Sequence, residues 1–323
     1  MSTPTPAFEL ASASVCGWDH QRVGRNNQDA LALERGARHL VLVVADGCGS
    51  SPGSEVGARL GARLLAAALL GRLEPAPVEK ARGDSPGADR ATGSAAGEAC
   101  AEASPSRPRV DLAASLAAAR ADVLDRLRDL ARGLCSAPEP DDRALAAAVR
   151  EQLLFTLVGA VVGPEETALF ALGDGLLELN GRSFPLGPFP GNQPPYLGYA
   201  LLPQALHGFA PEDLQLQIRA RVPTSELRSL ALGTDGALDL GAAAATLDLL
   251  LTEPVLFKNP DGLRRRLYLL ARDQPGRPAP LHDDTTLVLL RRAQVPALAL
   301  QPAPAGEPRT PESPTFAAPP AAC

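Results

Sequence analysis

No CxxC pair occurs in this chain of 323 residues, and its five cysteines, Cys16, Cys48, Cys100, Cys135 and Cys323, are scattered and odd in number. Such spacing supports neither a disulfide framework nor a structural zinc site, so a reducing cytoplasm is the expected location. A basic excess is also missing: 31 Lys and Arg stand against 37 Asp and Glu, for a net charge of −6. Binding nucleic acid through its phosphates requires the opposite balance, so nucleic-acid partners are excluded and an acidic pocket for cations fits better. The N-terminal MSTPTPAFEL has neither a basic start nor an apolar h-region. No later segment offers about 18 uninterrupted apolar residues, so neither export nor membrane insertion is expected. The Gly-rich stretch at 49–53 lacks the Gly-Lys-Ser/Thr ending of a phosphate-cradling loop, which removes the nucleotide-binding reading.

What is present reads as an ordinary globular chain, 45% hydrophobic and 21% charged, with 32 prolines and abundant alanine marking segments outside a core. Alternation in DALALE (Asp29 to Glu34) and the β-branched run HLVLVVA (His39 to Ala45) predict two adjacent strands, followed by a helix from Glu55 to Leu70. Residues 71–109 show no period and predict a disordered insertion. Helices are expected from Asp111 to about Arg132 and from Asp142 to Glu151. Strands follow at Leu154 to Val162, Thr167 to Leu172 and Leu176 to Asn180, the last two joined as a hairpin across Gly173-Asp174-Gly175. Gly181 to Pro203 reads as a loop or flap, with strands near Leu214 to Arg221 and Ser229 to Gly233. Helices around Ala242 to Leu251 and Asp261 to Arg272 precede a last strand, Thr286 to Arg291. Helices standing apart from runs of strands indicate an α+β fold. One domain at 10–293 is expected, with a disordered Pro/Ala-rich tail at 294–323.

The chemistry is carried by aspartates. Asp46, Asp174 and Asp235 each end an apolar strand and are followed by glycine, while Asp283 and Asp284 immediately precede one. Carboxylates gathered at one edge repel and lose solvation, which cations would neutralise. Ligands that are all oxygen favour Mg²⁺ or Mn²⁺ over zinc, and the Gly47 carbonyl is a further candidate ligand. Any one Asp-Gly is more often a turn than a metal site; the joint pattern is what points to metals.

Five stretches in one order, GWDHQRVGRNNQDA at 17–30, VVADGCGSSPGSEVGA at 43–58, ALGDG at 171–175, LGTDGALD at 232–239 and HDDTTLVLL at 282–290, resemble the protein phosphatase 2C family, especially its bacterial Gln-Asp-Ala branch. The resemblance implies a four-layer αββα sandwich, two antiparallel sheets flanked by helix pairs. It also implies hydrolysis of phosphoserine and phosphothreonine in proteins by a hydroxide bridging two metal ions, Mn²⁺ or Mg²⁺, with a third ion in some relatives. By motif, Asp46 would bridge two metals, Gly47 would offer its carbonyl to one, and Asp235 and Asp283 would complete the other. Asp29 matches a residue that holds metal-bound water, and Asp174 and Asp239 match a pair that binds the third ion. Arg22 or Arg25 would grip the substrate phosphate, since the spacing departs from the family's commoner Arg-x-x-Asn-Glu-Asp form. The partners implied are phosphorylated proteins, a Ser/Thr kinase or its targets, met by a monomer.

Three departures from the pattern stand out: Gln28 in place of Glu, Asp284 in place of Asn, and Cys48 where animal relatives carry a general-acid His. His20 is an alternative proton donor. Two rivals follow. A catalytically weak regulatory or binding module is suggested by Gln28 and the arginine spacing. An α/β-hydrolase is suggested by Gly49-Ser-Ser-Pro-Gly53, which fits GxSxG with Ser51, Asp235 and His282 in order, although Asp46 to Ser50 separate that serine from its strand.

Overall fold

The computed structural model describes residues 8–74, 111–135, 141–241, 244–271 and 281–293. The insertion expected at 71–109 lies outside these residues from residue 75 onward, as does the tail at 294–323. The helix before that insertion runs on to Leu73, three residues past its expected end.

In chain order the elements begin with β1 (Phe8–Val15), α1 (Trp18–Val23), β2 (Ala30–Arg35), β3 (Leu40–Gly47) and α2 (Glu55–Leu73). Then come α3 (Leu112–Leu134), α4 (Asp142–Gln152), β4 (Phe155–Val162), β5 (Glu166–Leu172), β6 (Leu176–Leu179) and β7 (Arg182–Ser183). The described chain closes with β8 (Gln217–Pro223), β9 (Ser229–Gly233), α5 (Leu238–Gly241), α6 (Ala244–Thr252), α7 (Pro254–Lys258), α8 (Gly262–Leu270) and β10 (Thr285–Arg292). The sequence reading missed β1, α1, β7, α5 and α7. FELASASV mixes small polar and apolar residues, β7 has two residues, and the three helices have six, four and five, too short to display a period.

Two antiparallel five-stranded sheets result, ordered β2-β3-β4-β5-β8 and β1-β10-β9-β6-β7. The two-residue side-chain period of a strand sorts each run between two cores. In β3, Val41, Val43 and Ala45 face α2, α3 and α4, whereas Leu40, Leu42 and Val44 face the other sheet. In β10, Leu287 and Leu289 face the side covered by α6 to α8, and Val288 and Leu290 meet the first sheet. Three apolar layers therefore alternate with four layers of secondary structure, the αββα sandwich. Central strands are buried on both faces, which is why they read as continuous apolar runs.

The expected hairpin across Gly173-Asp174-Gly175 is corrected. β5 pairs with β4 and β8, while β6 pairs with β9 and β7, so this turn carries the chain from one sheet to the other. Gly173 (φ +88°) and Gly175 (φ +129°) make the change of direction, conformations that side chains with a Cβ rarely adopt. A Cβ on Gly173 would stand 2.5 Å from Thr156 Cγ2, and one on Gly175 would stand 2.7 Å from the Gly233 carbonyl. Asp174 is thereby held between the sheets.

The segment expected as a flap, Gly181 to Pro203, contains β7 and short 3₁₀ turns at Pro190–Asn192 and Leu197–Leu201. Leu197 is buried in the core beneath the helices, and Gly198 lies against Leu153, where a Cβ would come within 2.2 Å of the carbonyl. This part of the segment is fastened to the sandwich.

Gly173→Ala is expected to lower stability by about 1–3 kcal/mol, the usual cost of a non-glycine residue held at a left-handed position against a packed neighbour. Urea denaturation measures it. A change within about 0.5 kcal/mol would mean that the crossing relaxes without cost.

Candidate metal centre

Strand parity explains where the acidic side chains gather. Leu42 and Val44 face the inter-sheet core, and Asp46 continues that row at the end of β3. Asp29 precedes β2 in the same row as Leu31 and Leu33, and Asp284 precedes β10 in the same row as Val288 and Leu290. All three emerge where the apolar layer ends. A cavity of about 670 Å³ opens there, lined by Asp46, Gly47, Asp174, Asp235, Asp283 and Gln28 among others.

The electrostatics of this cavity are unfavourable to its own carboxylates. Burial, reinforced by the charges of Asp29 and Asp235, holds Asp46 well above the ordinary carboxylate range. Burial raises Asp29 in the same way, although a hydrogen bond from Thr234 Oγ1 to its Oδ2 (2.7 Å) opposes the shift. Asp174 is pushed up to about 6 by burial and the neighbouring Asp235. Asp283 is raised by burial and then by Asp235.

Two features show that these residues suit cations. Asp29 Oδ1 and Gln28 Oε1 are buried with no hydrogen-bond partner, and both are hard oxygen donors. The carboxylates are also raised by burial and by one another, so divalent charge is what the set lacks. Asp284 differs. Its Oδ1 accepts from the Gly17 N–H (2.8 Å), and its Oδ2 meets the Gln28 N–H (2.6 Å) and His20 Nδ1 (2.8 Å). It is satisfied without metal and pins α1 and the loop before β2 to the start of β10.

Among the described residues, Cys16, His20 and Asp284 form the one group of three metal-capable side chains whose ligand atoms all lie within 4.8 Å of one another. Burial and the nearby Asp284 push the Cys16 thiol up to about 12, so it is a protonated thiol beside a satisfied carboxylate, a poor soft-metal site. The aspartates are spread more widely, as ligands around two ions about 3.5–4 Å apart must be.

The other expected residues fall in different places. Asp239 is exposed on α5 and does not line the cavity. Arg22 is exposed on α1, also away from the lining. Arg25 turns its guanidinium onto carbonyls of the loop after β3, Gly49 O (2.6 Å) and Ser51 O (3.3 Å). Cys48 is buried at the cavity wall with Sγ 3.2 Å from Ser50 Oγ; burial raises its thiol, but hydrogen bonds from Ser50 and Ser51 outweigh that and lower it. The serine-hydrolase arrangement is absent among the described residues. Ser51 Oγ donates to the Arg150 carbonyl (2.6 Å), and His282 is exposed beside Asp19.

Sequence reasoning missed Thr234, Arg150, Tyr196 and Tyr199. Thr234 stands next to Asp235 and its hydroxyl links Asp29 to the Thr286 N–H (3.0 Å), so adjacency to the motif was a usable signal. Arg150 lies in the last turn of α4 and the tyrosines sit in the Pro-rich segment; all three line the cavity, yet nothing local in the sequence marks them.

A family model described as protein phosphatase 2C matches residues 16–264. Among solved structures, serine/threonine phosphatase Stp1 from Staphylococcus aureus superimposes with a TM-score of 0.50 at 16% identity, covering 91% of this chain and 98% of that one. A mutant bacterial serine phosphatase gives 0.50 at 13% identity, covering 90% and 100%. A sex-determining protein of C. elegans gives 0.55 at 14% identity, covering 90% of this chain and 66% of that one. At such identities the likeness speaks for the fold. No curated protein matches the sequence.

The raised carboxylates set a pH dependence for the metal-free protein. Between the unfolded value of 3.8 and the folded value of about 6, the native state holds a proton on Asp174 that the unfolded chain has released. Stability from this group is therefore full below 3.8 and lost as pH rises through about 6. In EDTA, Asp174→Asn is expected to raise Tm relative to wild type above about pH 6, and the gain should vanish near pH 4. Mn²⁺ should stabilise wild type most above pH 6. A variant with the same Tm difference at every pH would contradict this account of Asp174.

Proposed function

Because the chain belongs to the protein phosphatase 2C family and is thus a protein phosphatase, we propose that it hydrolyses phosphoserine and phosphothreonine esters at the acidic cavity between the ends of its sheets, using two divalent cations. The observation that carries this reading is the set of Asp29, Asp46, Asp174, Asp235 and Asp283 at one end of the inter-sheet layer, with buried oxygens lacking partners. Asp46, the Gly47 carbonyl, Asp235 and Asp283 would hold the two ions, and Asp174 is available to a third. Mn²⁺ and Mg²⁺ suit the all-oxygen donor set. The chemistry supplied there when the ions are bound would be activation of a water molecule and neutralisation of charge on the phosphoryl group.

The chain's own residues would fix the reaction geometry. Asp29, held at Oδ2 by Thr234 Oγ1, keeps a buried Oδ1 without a hydrogen-bond partner near Asp46, where it would accept a hydrogen bond from a water molecule held there. Gln28, which lines the cavity, donates from Nε2 to Ser51 O (2.7 Å); this ties the loop before β2 to the loop after β3 and leaves Oε1 buried without a partner. His20, its Nδ1 on Asp284, lines the same cavity and would serve there as a proton-carrying group for the leaving oxygen. The partners proposed for this cavity are phosphorylated proteins, among them a Ser/Thr kinase or its targets.

Wild type is expected to release phosphate from a phosphothreonine peptide with Mn²⁺ and not with EDTA. Asp46→Ala should lower turnover by more than the roughly 100-fold that follows loss of a group behind a metal ligand. A serine hydrolase would give the reverse order, with Asp46→Ala tolerated and Ser51→Ala inactive. A folded, Mn²⁺-replete protein that binds phosphopeptides without cleaving them would replace catalysis with a binding role.

A further inference from the structure

We propose that Arg150, at the C-terminal end of α4, is the residue that grips the phosphoryl oxygens of the bound ester. The inference rests on the phosphatase reading above and names a residue for it that lies outside the sequence motifs.

The cavity has an excess of negative charge: Asp46, Asp174, Asp235, Asp283, Asp284 and Glu151 all line it. Among the described residues, Arg150 is the one Lys or Arg that lines it as well. A phosphate monoester entering this site carries close to two negative charges. Cations in the aspartate cluster would meet one side of it, and among the Lys and Arg of the described residues Arg150 is the one at the cavity to meet the remaining oxygens.

Its anchorage suits that task. The Arg150 carbonyl accepts the Ser51 hydroxyl (2.6 Å), the Gly53 N–H donates to the Glu151 carbonyl (3.0 Å), and the Cys48 N–H donates to the Leu154 carbonyl (2.9 Å). These bonds join the end of α4 to the loop that begins at Asp46 and Gly47, so the backbone carrying the guanidinium is fixed relative to the metal-binding candidates. The guanidinium itself spends one bond within the protein, Nη2 to Leu206 O (3.1 Å). Its other N–H donors have no protein partner among the described residues, and the side chain is exposed at the cavity wall. An arginine with a free edge can present two parallel N–H groups to two phosphate oxygens.

Neither arginine suggested by the motif has these properties. Arg22 lies outside the lining, and Arg25 has both terminal nitrogens on Gly49 O and Ser51 O. Arg25 thus supports the loop that Arg150 also engages.

The test uses the full chain loaded with Mn²⁺ and two readouts, calorimetric binding of inorganic phosphate and steady-state hydrolysis of a phosphothreonine peptide. Arg150→Ala should weaken phosphate binding and raise KM by roughly 10- to 100-fold, as expected for a lost charge-assisted pair, with a smaller change in kcat. Arg150→Lys should recover part of the affinity, since it keeps the charge without the fork. Unchanged melting by circular dichroism would show that the variants fold. If Arg150→Ala binds phosphate as wild type does while Arg22→Ala or Arg25→Ala loses it, the grip belongs to the loop before β2 and the present proposal falls, with the phosphatase reading intact. A wild-type protein that binds Mn²⁺ but neither binds phosphate nor cleaves the peptide would overturn both.

Discussion

Unneutralised negative charge where the inter-sheet layer runs out is the constraint around which the rest of this molecule is arranged. A carboxylate at the end of a buried strand loses water on the side of the core and gains like-charged neighbours on the other. The chain treats its acids in two ways. Asp284 is surrounded by N–H groups from Gly17 and Gln28 and by His20, so it tolerates burial alone. Asp46, Asp174 and Asp283 lack such a surround and are raised instead, and Asp29 keeps one oxygen bare. The first arrangement is a structural staple; the second suits a cation.

How much of this could be read from the sequence follows from the length scale of each signal. Strands such as 39–45 and 154–162 are almost entirely apolar because both faces are buried, so their existence was legible and their pairing was not. Asp-Gly after an apolar run was legible as a strand end, but whether the chain turns back or crosses to another sheet depends on which edges are occupied. Those edges are filled by β8 and β9, more than 40 residues later. That is why Gly173-Asp174-Gly175 read as a hairpin. Arg150 was illegible for a related reason. It belongs to an amphipathic helix whose period says only that one face is buried, and its place at the cavity is set by bonds to the loop 48–53.

Gln28 shows how a departure from a family pattern can be reinterpreted once its contacts are known. Read as a change from Glu, it removes a negative charge beside the proposed metals. In the fold it is 2% exposed and its Nε2 donates to Ser51 O at 2.7 Å. A carboxylate has no donor to place there and would set an oxygen against a carbonyl in a buried site. The amide therefore maintains the join between two loops, and its remaining oxygen is left buried and unpartnered beside the cavity as a neutral ligand atom. The loss of charge and the gain of a tether come from the same substitution.

The loop after β3 is where these tethers converge. Ser54 Oγ holds the Cys48 carbonyl (3.0 Å), Arg25 holds those of Gly49 and Ser51, and Gln28 shares the latter. The Ser51 hydroxyl reaches across to Arg150. A backbone whose Cys48, Gly49 and Ser51 carbonyls are held by Ser54 and by two side chains of the loop before β2 has little freedom to drift, although its own sequence, Gly-Cys-Gly-Ser-Ser-Pro-Gly, is among the most permissive in the chain. Glycine is required at 47 because a Cβ there would come within 2.7 Å of Ser54 Oγ and 2.8 Å of the Gln28 carbonyl. Close approach and fixation are thus separate contributions: glycine admits the neighbouring strands and loops, and the donors then lock them. Since Asp46 and Gly47 enter this loop and Arg150 is bonded to it, one set of carbonyl tethers fixes the proposed metal ligands and the proposed phosphate grip in a common frame.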